Sequence, residues 1–190
     1  MNFKRIWQKK DFKEIWQTSF CQWKQIMINP AIFFNDWEQD EPWDKVITFN
    51  VICGAIAGIL KTILTFGSEF LMIVGYPIIF IIITFVGGAI FFVFFKLSGG
   101  EGKFEPTIKM TGYTHAISIF SFGIPTLGPL IGLYQIWLLT LAGEAGHELD
   151  TRRAFIAVVI PLFLYLILMA LIGTIIGVRF WGGVMSHEGL

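Results

Sequence analysis

Two histidines and their neighbouring carboxylates are the residues of this chain best placed to do chemistry. Glu144 and His147 stand three apart in the run EAGHELDTRR, a spacing that puts a carboxylate and an imidazole on one helix face. Such a pair can ligate a metal, but a di-iron bundle needs two Glu-x-x-His copies and two further glutamates. No second copy occurs, and the His-Glu-x-x-His run of zinc proteases is absent. The pattern argues against a catalytic metal centre, and no cofactor is expected. EAGHELDTRR then reads as a solvated cytoplasmic turn with Arg152 and Arg153 near lipid phosphates. His115 differs, because it lies within an apolar stretch, where an ionisable group marks a functional site by default. Its candidate partners are Glu144, Tyr113 and Gln135. Lys109, six residues earlier, favours a wet position for it at the cytoplasmic interface.

Other chemistries are poorly served. No Ser/His/Asp or Cys/His system assembles within the apolar runs, and SGGEGK lacks the spacing of a phosphate-binding loop. Cys21 and Cys53 fall on different sides of the expected membrane boundary, so neither a disulfide nor a metal cluster is expected.

The elements that position these residues follow from composition. Hydrophobic residues make up 55% of the 190 and charged ones 15%, against roughly a quarter charged in soluble domains. Charge-poor runs of about 20 residues cross the hydrocarbon core as helices, which satisfy their own backbone hydrogen bonds. The runs are continuous rather than alternating, which excludes a barrel. The fold class is an all-α polytopic membrane protein. A net charge of zero with no basic stripe argues against a nucleic-acid partner. The first apolar run begins near Val46, so no cleavable signal is read at the start.

Residues 1–45 form a polar, aromatic-rich region carrying a near-repeat, FKRIWQ and FKEIWQ, offset by nine. That offset is half a turn on a straight helix, so a break near Lys9–Asp11 is expected, with Asp11 and Glu14 as a capping box. Phe12, Ile15, Trp16, Phe20, Trp23, Ile26 and Met27 then share one face of an amphipathic helix ended by Asn29-Pro30. This face suits the membrane interface, with Trp7, Trp16 and Trp23 as anchors, or packs on the bundle; the two coexist readily. Asp36–Asp44 lacks the glycine turn of a calcium loop and reads as a solvated acidic linker.

Spans are expected at about 46–66 and 70–95, then two short ones sharing 108–142 that turn around Phe122–Pro125, and a fifth at 154–178. Gly75, Pro77 and Gly87-Gly88 predict a bend in the second. Residues 46–178 thus form a five-helix transmembrane bundle, followed by a tail at 179–190 that contains His187. Seven basic residues precede the first span, Lys96, Lys103 and Lys109 follow the second, and Arg152 and Arg153 follow the fourth. Five spans put all of these on one side, which places the N-terminus in the cytoplasm and the C-terminus outside. Lys61 snorkels from the first span, and Arg179 falls on the far side.

Small-xxx-small pairs at Gly54/Gly58, Gly128/Gly132 and Gly173/Gly177 favour close helix packing within the bundle, with homo-oligomerisation as the second use. Gly112-Tyr113 opening a span, Pro125, GPLIG at Gly128–Gly132, and a Glu/His connector ending in Thr151-Arg152-Arg153-Ala154 together resemble the Yip domain family. NPAIFF at Asn29–Phe34 is similar to the Pro-plus-aromatic entry of its prokaryotic members. Ile117 stands where a proline would be expected, and the D-L-Y-G-P signature of eukaryotic members is absent, so the resemblance is to a prokaryotic-type member. It implies five helices, a cytoplasmic N-terminal region, residence in the cytoplasmic membrane and, by analogy with eukaryotic members, a role in membrane organisation or trafficking.

Two functions follow as expectations. One is a non-enzymatic adaptor whose partners are membrane lipids and a cytoplasmic protein. The other is a transporter, channel or lipid-handling protein with a polar path near His115 and Glu144. An intramembrane enzyme has the least support.

Overall fold

The structure is a computed structural model that describes residues 12–187. The described residues are helical throughout, with no strand among them. Helix α1 (Phe12–Ile28) ends at Asn29, and Pro30 starts the short α2 (Pro30–Asn35), as the Asn-Pro step predicts. Helix α3 (Trp43–Leu64) and α4 (Met72–Leu97) form a hairpin. It turns through Phe66 and Gly67, both at positive φ, and the Gly67 N–H donates to Thr62 O at 2.8 Å. Helix α5 (Phe104–Thr114) breaks at His115 into α6 (Ser118–Gly123). A 3-10 turn (Pro125–Leu127), α7 (Gly128–His147) and α8 (Thr151–His187) complete the order. Helix α8 thus continues past the expected span end at 178. Trp7, the break near Lys9–Asp11 and the Asp11 cap lie outside the described residues.

Three helices, α3, α4 and the 151–174 part of α8, are long and apolar enough to cross a membrane. Their outward residues, such as Ile63, Val74, Val86, Phe163 and Leu166, stay exposed. In lipid this is the expected arrangement, because tails are as apolar as leucine and association rests on close packing and polar contacts. Gly54 and Gly58 supply the close packing of α3 on α4: a Cβ at Gly54 would lie 2.5 Å from Pro77 N. Gly128 and Gly132 have open space where a Cβ would be, so the second small pair takes no part in packing within the bundle.

Helix α5 is the centre of the bundle. All nine residues from Pro106 to Thr114 are buried, so neighbours surround it on every side. It is also polar. Thr107, Thr111 and Thr114 turn their hydroxyls back to Lys103 O, Thr107 O and Thr111 O at 2.7, 2.8 and 2.7 Å. Gly88 lets α4 close on it, since a Cβ there would lie 2.7 Å from Ile108 Cα. Hydropathy alone placed the third and fourth spans within 108–142. The helices instead begin at Phe104 and run to His147, because their polar ends bury against each other.

Candidate functional site

Three buried polar clusters surround α5, and each contains a residue singled out in the sequence. The first lies at the α5–α6 break. His115 is 4% exposed and caps α5, and its Nδ1 lies 2.9 Å from Asn50 Oδ1 on α3 and 3.1 Å from Thr84 Oγ1 on α4. Asn50 Oδ1 can only accept, so the ring proton sits on Nδ1. Thr84 Oγ1 lies 2.8 Å from Phe80 O and 3.1 Å from Asn50 Oδ1. Asn50 Nδ2 donates to Val46 O at 2.9 Å. His115 is therefore buried, not the wet interfacial group expected from its distance to Lys109. Its partners are Asn50 and Thr84 rather than Glu144, Tyr113 or Gln135. Gln135 instead accepts from Ser118 Oγ at 2.8 Å and donates to Thr114 Oγ1 at 3.2 Å, which ties α7 to both halves of the break.

The second cluster is built on Glu41, which sequence reasoning had left in a solvated linker. Its carboxylate is buried and accepts from Tyr113 OH and Trp37 Nε1, both at 2.7 Å, while Lys45 Nζ lies 3.2 Å away. Gln22 Nε2 of α1 reaches the Tyr113 oxygen at 3.2 Å. Tyr113 is fully buried, its ring against Phe33 and Phe49 with centroids at 5.2 and 5.0 Å. One carboxylate thus staples α1, the linker and α3 to the central helix. No helical spacing signalled it, because residues 36–42, which carry Trp37 and Glu41, form no helix.

The third cluster is at the other end of α5. His147 is 1% exposed, although its sequence neighbourhood reads as a solvated turn. Its ring packs on Phe95 at 4.8 Å between centroids, and the SGGEGK loop closes over it. Gly100 and Gly102 make that closure possible, because a Cβ on them would lie 2.8 Å from His147 Cβ and 2.7 Å from its ring Cγ. Glu101 N–H donates to His147 O at 3.0 Å. Thr107 Oγ1 gives its proton to Lys103 O, so the 2.7 Å contact with Nε2 makes the ring the donor and leaves Nδ1 a bare acceptor. Among the described residues, His147 Nδ1 is the one buried side-chain nitrogen or oxygen without a partner.

The remaining predicted residues are placed as follows. Glu144 is half-buried on α7, one turn before His147, and is not bonded to His115. Arg152 and Arg153 are exposed in the first turn of α8. Trp23 is half-buried and donates its indole N–H to Ala116 O at 2.9 Å, latching α1 onto the α5–α6 break. Trp16 stays 44% exposed and Phe20 56%, so α1 packs by its C-terminal half and presents its N-terminal half outward. An apolar pocket of about 250 Å³ lies beneath that half, between Trp16, Phe20, Cys53, Ile56 and Phe120. Both cysteines are free thiols. Among the described residues no three His, Cys, Asp or Glu side chains converge as a ligand set.

An all-helical assembly with long apolar outer helices, a buried polar central helix and an amphipathic helix laid on its side defines an integral membrane protein. The sequence model of the Yip1 domain matches residues 24–184, and the chain belongs to that family. No curated protein and no solved structure matches it significantly.

Proposed function

We propose that this Yip1-family protein is a non-enzymatic adaptor that organises the membrane and recruits a partner through the outward half of α1. The observation that carries this reading is the pairing of the polar interior. Asn50, Thr84, His115, Glu41, Tyr113, Ser118 and Gln135 satisfy one another across five helices and the linker. Transport sites hold polar groups ready for a substrate, whereas groups tied to each other rigidify a scaffold. Outside the long helices an apolar surface lies on α1, where Trp16 and Phe20 stay exposed on a helix fixed at its other end by Trp23.

In this account the chain crosses the bilayer five times, as α3, α4, α5–α6, α7 and α8, with the N-terminus in the cytoplasm. Support comes from the loop at 98–103 meeting the end of α7 through Glu101 N–H and His147 O, which gathers two of the basic clusters at one end. A photo-crosslinker at position 16 or 20 of the full chain in its native membrane tests recruitment. A discrete protein adduct, lost when the other position is made Glu, is expected, with none from position 163. Lipid adducts alone at 16 and 20 would sink the proposal.

A transporter or lipid-handling reading draws on one observation, the helix break at His115, since discontinuous helices often mark substrate sites. Here the Ala116 carbonyl at the break is taken up by Trp23, and the His115 ring by Asn50 and Thr84, which favours the scaffold.

A further inference from the structure

Arg152 and Arg153 occupy the first turn of α8, a turn with no acidic residue. Cations there face the positive end of the helix dipole, which disfavours them. Asp150 caps the helix by accepting the Arg152 backbone N–H at 3.3 Å. Among the described residues, neither guanidinium lies within ion-pair distance of a carboxylate. Two arginines are thus held in an unfavourable place, with no carboxylate among the described residues in ion-pair contact with their side chains.

Arg152 also stands at the mouth of a groove on the molecule's flank, an open furrow of about 600 Å³ between α7 and α8. Leu133, Ile136, Trp137 and Phe155 wall it, and Asp150 shares the rim with Arg152. Helix α8 packs inward through Ala154, Ala157 and Val158, so Phe155 is left to face the furrow. Both walls belong to helices whose outer faces meet hydrocarbon in the account above.

We propose that this groove is a site for one phospholipid, with an acyl chain laid along Leu133, Ile136, Trp137 and Phe155 and the phosphate on the Arg152 guanidinium. A planar guanidinium holds a phosphate through paired charge-assisted hydrogen bonds, and the apolar walls give the tail a fixed seat. The rim carries one guanidinium and one carboxylate. That pattern complements a zwitterionic phosphate–ammonium headgroup better than an anionic one, so phosphatidylethanolamine is the lipid assigned. The site rests on the bilayer placement of α7 and α8 and is independent of recruitment by α1.

Fluorescence quenching tests it, because Trp137 lines the groove. The full chain in detergent micelles is titrated with phosphatidylethanolamine brominated on its acyl chain, and the Trp137→Phe signal is subtracted. Saturable quenching of Trp137 is expected. Arg152→Gln should raise the half-saturating lipid fraction about five- to ten-fold, with Lys24→Gln leaving it unchanged. Quenching that only rises linearly with lipid, or a midpoint untouched by Arg152→Gln, would overturn the site. Tighter binding of brominated phosphatidylglycerol would overturn the headgroup assignment. Protection by soluble phosphoethanolamine alone would make the ligand a free phosphate rather than a lipid. None of these results bears on crosslinking at positions 16 and 20, so the two proposals fail separately.

Discussion

His115 and His147 bracket the central helix, and they are equally well hidden, yet they are held in opposite ways. At the α5–α6 break the imidazole gives its proton to a pair of acceptors from two other helices. At the far end the ring has one hydrogen bond, to Thr107, and a bare nitrogen pressed against a glycine loop. Burial is therefore not the quantity that decides what a polar group contributes. A paired group in a low-dielectric interior locks its neighbours together, while an unpaired one stores the cost of its lost hydration. The first end of α5 is a joint. The second is a strained closure.

Removing the rings breaks the comparison most sharply. His115→Leu leaves the Asn50 and Thr84 side chains short of a partner in the core, and a stability loss of about 3 kcal/mol is expected. His147→Leu deletes an unsatisfied nitrogen along with one hydrogen bond, so its change should stay within about 1 kcal/mol. Thermal or denaturant unfolding in the same detergent measures both, and equal losses would erase the distinction.

A smaller effect separates the glycines. Gly102→Ala would drive a methyl into the Gly146 carbonyl and the His147 ring, and a loss of about 2 kcal/mol is expected. Gly132→Ala meets open space in a helix and should be neutral or stabilising by up to about 1 kcal/mol. Melting temperatures of the two variants check the contrast.

Much of this architecture was legible in the chain. The Asn29-Pro30 step, the turn at Gly67 and the approximate limits of α3 and α4 follow from apolar length and from proline and glycine chemistry. The polar clusters were not legible, for a physical reason. Asn50 lies 65 residues from His115 in sequence, and only the packing of α3 on α5 brings them together. Glu41 and His147 were misread because polar flanks look solvated when hydropathy is the guide. In the fold those flanks bury against each other, and their partners make the burial tolerable. The Gly54/Gly58 pair was read correctly as packing, while Gly128/Gly132 faces outward.

The central claim is that the buried polar groups around α5 form a joined scaffold rather than a path. Flux through proteoliposomes holding the purified full chain tests it most directly, with ions, small solutes and labelled lipids as cargo. The account predicts flux equal to that of protein-free liposomes for every cargo. Saturable flux of any one of them, reduced by His115→Leu in protein that remains folded, would contradict it.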